Sequence, residues 1–152
     1  MRPRKVFRAA CGVSFFFCLF SSAWAGAPLE GLDIVTATGA HHYEVEIAND
    51  EPTREHGLMD RHEMAVNHGM LFEFPERAPV TFWMKDTYIP LDMIFIDADG
   101  AVRAVVENAT PQSEALIPSR VAVVGVLELN GGQAKAIKLK LGDKVKAAFF
   151  AH

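Results

Sequence analysis

Thr81, Trp83, Lys85 and Thr87 alternate along Val80-Thr81-Phe82-Trp83-Met84-Lys85-Asp86-Thr87, and in an extended chain alternate side chains share a face. One face of such a strand would carry Val80, Phe82 and Met84. The other would present an indole plane flanked by two hydroxyls and an ammonium, a composition suited to gripping a small polar ligand such as a sugar or a carboxylate. The same face could equally be solvated, with Trp83 covering the core beneath a loop. Glu128 stands out for another reason. Val121 to Leu129 is apolar on both faces apart from this residue, so the segment reads as a central strand with a buried acid whose pKa rises unless Arg61 or Lys85 pairs with it. Asp92, heading the apolar run Asp92-Met93-Ile94-Phe95-Ile96, poses the same question. Two convergent carboxylates with a cation can act as acid and base on a glycan, and the same cluster can lock register or satisfy loop amides. Structural pairing is the commoner outcome.

Methionine and histidine form a second constellation. Met59, His62, Met64 and His68 fall close together, and thioether with imidazole is soft enough to hold Cu(I). Met70, Met84 and Met93, by contrast, sit in strand-like runs where methionine is ordinary core filler. Asp97 and Asp99 before Gly100 lack the remaining ligands of a calcium loop and read as a hairpin turn. Ser113 and Ser119 have no nucleophile-elbow context, and no phosphate loop, dinucleotide fingerprint or paired-histidine zinc motif occurs.

The elements that must position these residues are short. Tyr43, Val45 and Ile47 alternate with Glu44 and Glu46, and Met70 to Phe74, Val80 to Met84, Asp92 to Ile96, Val102 to Val106 and Val121 to Leu129 are further strands rich in Val, Ile and Phe. Helical signal is confined to a segment capped by Thr53 and running to about Met59, and to Gln133–Leu139 before Gly142. Thr110 to Ser119 reads as one long loop. The pattern predicts a mainly β chain, a compact β-sandwich or barrel-like single domain with one or two short helices.

The N-terminus has a different character. Arg2, Arg4, Lys5 and Arg8 precede an apolar run from Val13 to Phe20 and an Ala23-Trp24-Ala25 cleavage site, which reads as a secretory signal peptide. The expected organisation is a signal peptide over 1–25, a short N-terminal segment over 26–40 and a single β-rich domain over 41–150. The chain has 152 residues and a formal charge of −4, and the leader holds four of its fifteen basic residues and none of its nineteen acids. The remainder is therefore more acidic still, which disfavours nucleic acid as a partner. Both cysteines, Cys11 and Cys18, fall in the leader, so the domain has no disulfide and no thiol nucleophile. Val121 to Leu129 is too short to span a membrane. The expected product is exported, periplasmic or extracellular, with an uncleaved N-terminal anchor as the alternative.

Gly57-Leu58-Met59 with Arg61, Gly69-Met70-Leu71-Phe72, Phe82-Trp83-Met84-Lys85, Pro90-Leu91-Asp92, Phe95-Ile96-Asp97 and Val126-Leu127-Glu128-Leu129 follow one another in an order and spacing that resembles the domain of unknown function 192 family. The resemblance covers about Tyr43 to Val145. It implies a compact β-rich sandwich or barrel and no particular activity. One departure is Asp86, where Asn is expected after the lysine.

These readings favour a non-enzymatic binding module for a small polar ligand or an envelope component, with Trp83 as stacking platform, Lys85 as charged contact, Thr81, Thr87 and Arg61 beside them, and no cofactor. The rivals are an envelope glycan hydrolase using Asp92 and Glu128, and a Cu(I) site of Met59, His62, Met64 and His68.

Overall fold

The computed structural model describes residues 28–150. The signal peptide expected over 1–25 lies outside the described residues. Seven strands, β1 (Leu29–Thr36), β2 (Gly39–Ala48), β3 (His68–Phe82), β4 (Leu91–Ile96), β5 (Val102–Ala109), β6 (Ile117–Asn130) and β7 (Lys144–Lys146), form one curled sheet in the order β5-β4-β6-β3-β2-β1-β7. Two short helices, α1 (Glu51–His56) and α2 (Gln133–Ala136), complete it with a single 3-10 turn at Ala148–Phe150. The fold is thus mainly β, as expected, and the curl is that of a half-barrel. Among the described residues no helix is long and apolar enough to cross a membrane.

The segment 26–40, expected as a lead-in, contains β1 and the start of β2, because Leu32, Ile34 and Thr36 alternate inward against β2 and β7. The two runs expected at Met70–Phe74 and Val80–Met84 are one long strand. Its ladder with β6 slips between Glu73 and Ala78 and again between Pro79 and Thr81. Pro75 cannot donate to a ladder, so the strand bends there instead of ending. Ser119 is spent on this irregularity: its hydroxyl accepts from the Val80 amide at 3.0 Å and donates to the Val121 carbonyl at 2.7 Å. The first helix is capped by Asp50, not Thr53. Asp50 Oδ1 accepts from the Thr53 amide at 2.8 Å, and the Thr53 hydroxyl in turn accepts from the Asp50 amide. The expected loop over 110–119 is shorter, since β6 begins at Ile117.

β2 and β3 pair in parallel, with α1 in the crossover between them. The remaining pairings are antiparallel. The two edges of the sheet approach at one end, where the Val102 amide donates to the Asp143 carbonyl at 2.9 Å and the Gly142 amide to the Val102 carbonyl at 2.8 Å.

Apolar residues pack on both faces of the sheet. Leu32, Ile34, Val45, Leu71, Ile94 and Leu127, with Tyr43, Ile96, Val102, Leu129, Val145 and Ile137 at the end of α2, fill the inside of the curl. On the other face Met70, Phe72, Met93, Phe95 and Val126 are covered by Leu58, Met84 and Ile89 from the connecting loops. A strand with a core on each side must be apolar at every position, which is why β6 reads Val126-Leu127-Glu128-Leu129 with one exception.

Asp92 is fully buried on the inner face, with 0% exposure. Its carboxylate accepts hydrogen bonds from three backbone amides, those of Asn108 at 2.8 Å, Gly132 at 3.0 Å and Ala134 at 2.7 Å. It therefore fastens the β6–α2 turn to β5, and its charge, after burial itself, raises the pKa of Tyr43. Replacing Asp92 with Ala leaves those amides without acceptors and is expected to cost about 3 kcal/mol or more. Urea unfolding checks this, and an unchanged midpoint would mean that water or neighbouring carbonyl groups take over the carboxylate's work.

Candidate functional site

Asp50-capped α1 ends at Gly57, whose φ of 51° and ψ of −131° are open to glycine at little cost. A Cβ there would also press on the Phe72 ring at 3.1 Å. This turn drives Leu58 into the outer core, where it is 2% exposed, and lays α1 alongside the bent half of β3. Between them lies a cleft of about 600 Å³, walled by Phe72, Phe74 and Phe82, with Trp83 and Thr87 at its far side. The Phe72 and Phe82 rings meet edge to face at 5.0 Å, the favoured geometry for an aromatic pair.

Glu128 forms the floor. In the sheet it stands directly opposite Met70 of β3 and Met93 of β4, so all three side chains share the outer face. It is 3% exposed and lines the cleft. Neither Arg61 nor Lys85 reaches it, and burial alone pushes its pKa up to about 8. No fully enclosed side-chain polar atom among the described residues lacks a partner, so the oxygens of this unpaired carboxyl open onto the cleft. At neutral pH the group is mostly a neutral acid, able to donate a hydrogen bond.

Thr81, Trp83 and Thr87 do meet at one site, though not by strand alternation. β3 ends at Phe82, and the chain turns at Lys85 and Asp86, with the Thr87 amide donating to the Met84 carbonyl at 3.1 Å. Lys85 folds back so that its ammonium lies 5.3 Å from the Trp83 ring centre. Trp83 is 43% exposed and forms the rim, whereas Thr87 is buried. Asp86 has φ of 53°, a conformation that Asn and Asp tolerate better than other side chains, so Asp in place of the expected Asn keeps the turn. The Asp86 carbonyl accepts from the Asp60 amide at 2.8 Å, tying the turn to the loop after α1.

Arg61 is placed elsewhere. Its Nη2 donates to both carboxylate oxygens of Glu46, at 2.7 Å to Oε2, beside a smaller depression lined by Met64 and His68. The proposed Cu(I) ligands are likewise dispersed: Met59 lines the main cleft, Met64 and His68 the smaller one, and His62 stacks on Tyr88 at 4.1 Å. Asp92 and Glu128 cannot work as an acid–base pair. Asp92 is registered with Leu129 and Glu128 with Met93, which puts the two carboxyls on opposite faces of the sheet. The contribution of α1, whose Glu51, Arg54, Glu55 and His56 form the outer wall, was not visible as a site feature in the sequence; its only signal was Gly57-Leu58-Met59.

A family profile described as DUF192, "Uncharacterized ACR", matches residues 33–147. The chain belongs to the DUF192 family. The DUF192 match spans every strand but the first residues of β1. Several solved structures are similar, among them two from bacteria. One, from Sinorhizobium meliloti 1021, is described only provisionally as a transcription regulator; it shares 49% identity and a TM-score of 0.78, covering 81% of this chain and 96% of its own. The other, a protein of unknown function from Novosphingobium aromaticivorans DSM 12444, shares 35% identity with a TM-score of 0.78 over 82% of this chain and 89% of its own. No curated protein matches.

The raised pKa of Glu128 fixes a pH dependence. Below its ordinary value of 4.5 the residue is protonated folded and unfolded, and costs nothing. As pH rises from there to about 8, the unfolded chain ionises while the folded one holds its proton, so stability falls, in total by several kcal/mol. Glu128→Gln is expected to flatten that decline and to raise Tm at alkaline pH. An equally steep decline in the variant would show that another group titrates.

Proposed function

We propose that this DUF192 protein is an exported, non-enzymatic domain that binds a small ligand in the cleft between α1 and the bent half of β3. One observation carries the reading: an unpartnered carboxyl at the floor of an aromatic-walled cleft with an exposed indole at its rim. Burying an acid without a partner destabilises a fold, and this sheet has an apolar alternative at every other outward position of β6 from Val123 to Leu129 that the outer core uses. A ligand that satisfies the carboxyl explains its presence. The cleft volume is in the range of small-molecule sites. Trp83 supplies a stacking surface, and Thr81 and Thr87 flank it.

Export rests on the leader sequence, with its basic start, apolar stretch and Ala23-Trp24-Ala25 site. The provisional regulator description of the Sinorhizobium relative suggests DNA as an alternative partner. Against it stand the net charge of −4 and, among the described residues, α-helices of only six and four residues, too short to serve as a major-groove reading helix.

N-terminal sequencing of the protein expressed with its leader is expected to start at Gly26; an intact Met1 would point to an anchored form. A thermal-shift series with envelope sugars, peptidoglycan fragments, small carboxylates and small amines tests the binding itself, because a ligand selective for the folded state raises its stability. One chemical class is expected to raise Tm, and Trp83→Ala to abolish that rise while costing less than about 1 kcal/mol of intrinsic stability, as suits a half-exposed side chain. No shift with any class, or a shift that survives Trp83→Ala, speaks against this site.

A further inference from the structure

Charge and ring placement in the cleft select among ligand classes. The cleft's titratable neighbours of Glu128 all lie on α1: Glu51, Glu55, Arg54 and His56. Its direct register partners on β3 and β4 are Met70 and Met93, neither of them titratable. Arg54 is already engaged, donating to the Glu73 carbonyl at 3.0 Å and lying 5.6 Å from the centre of the Phe74 ring. The acid on the floor therefore has no counter-ion of its own. The walls show the complementary preference, since two of the cleft's aromatic rings, Phe74 and Trp83, each carry a protein cation over the ring. Ring faces attract ammonium and guanidinium groups through their quadrupole, most strongly where water is excluded. An anionic ligand would find the lining's one guanidinium, Arg54, already engaged, and would meet the carboxylates of Glu51 and Glu55 on α1. An organic cation would meet aromatic faces on the way in and an unclaimed carboxyl at the end.

Resting on the small-ligand reading above, we propose that the cleft takes a small organic cation, a primary or quaternary ammonium, whose head pairs with the Glu128 carboxylate. The Glu128 O–H bond breaks as the pair forms, its proton passes to the solvent buffer, and the ligand's positive charge replaces it, so charge in the cleft is conserved. The group is held neutral only by burial, with its pKa near 8, and an incoming cation removes the reason for keeping the proton.

The test uses isothermal titration and Trp83 fluorescence on the purified protein. The probes are choline, its uncharged carbon isostere in which a tert-butyl group replaces the trimethylammonium, n-butylammonium, and N-acetylglucosamine. At least one cation is expected to bind about tenfold or more tightly than the isostere, with affinity rising with pH toward about 8. Titrations in buffers of different protonation heat are expected to show close to one proton released per cation near neutral pH. Glu128→Gln is expected to keep its fold, to weaken cation binding by about tenfold or more and to abolish the proton release. An isostere that binds as well as choline, or cation binding untouched in Glu128→Gln, overturns the proposal. If both cations fail while N-acetylglucosamine or another sugar or carboxylate binds, the ligand class is wrong and the binding module stands. If nothing binds, both fall.

Discussion

β6 runs between β3 and β4 with a core on each of its faces, and the rest of the molecule is arranged around that constraint. Leu127 and Leu129 point into the curl, Val126 points out of it, and each is fully buried. The inner face is closed by the sheet's own curvature. Among the described residues no second sheet covers the outer face, and the β2–β3 crossover and the segment after β3 fold over it, bringing Leu58, Met84 and Ile89 onto Phe72 and Phe95. Such covering by loops is less complete than sheet-on-sheet packing. The cleft lies where the cover is thinnest, between α1 and the bend in β3.

Two buried acids on adjacent strands show how differently the same side-chain chemistry is used on the two faces. Asp92 accepts hydrogen bonds from three backbone amides, so it acts as a bolt for the turn after β6. Glu128 has thioethers at its sides and no donor within reach. The first is a structural carboxylate. The second is a neutral acid stored against the energetic interest of the fold. A third carboxylate, Asp97, marks the other extreme: the guanidinium groups of Arg77 and Arg103 and the Ala98 amide hold it well below the ordinary aspartate range in the hairpin after β4.

Much of this was legible in the sequence, and the failures have definite causes. Local alternation located β2, apolar runs rich in Val, Ile and Phe located β4, β5 and most of β6, and the apolar context of Glu128 marked it as buried. What local alternation does not carry is register. Asp92 and Glu128 look equivalent until the pairing of Asp92 with Leu129 and of Glu128 with Met93 sets them on opposite faces. β3 looked like two strands because Pro75 and Pro79 break the local pattern, whereas the ladder resumes beyond them at the cost of two register shifts. Trp83, Lys85 and Thr87 were grouped by an alternation that stops one residue before Trp83, and a tight turn gathers Trp83 and Thr87 all the same. Arg61 was drawn to the site on charge alone and is taken by Glu46, a residue whose strand parity gave no hint of it. The family resemblance added architecture and no chemistry, as the solved relatives also do.

β7 supplies only Lys144–Lys146, yet it lies against β1 at the far end of the sequence, with Asp33 opposite Lys146 and Val35 opposite Lys144. Joining the first strand to the last makes the search for the native state a global one, because the largest loop closures are made before the contacts that reward them. A chain emerging from the ribosome can form the β1–β2 hairpin early, but the seam between Gly142–Val145 and Gly100–Val102 waits until residues 142–145 have emerged. Until then the inner core stays open to water. The architecture thus delays its own completion until β7 reaches β1.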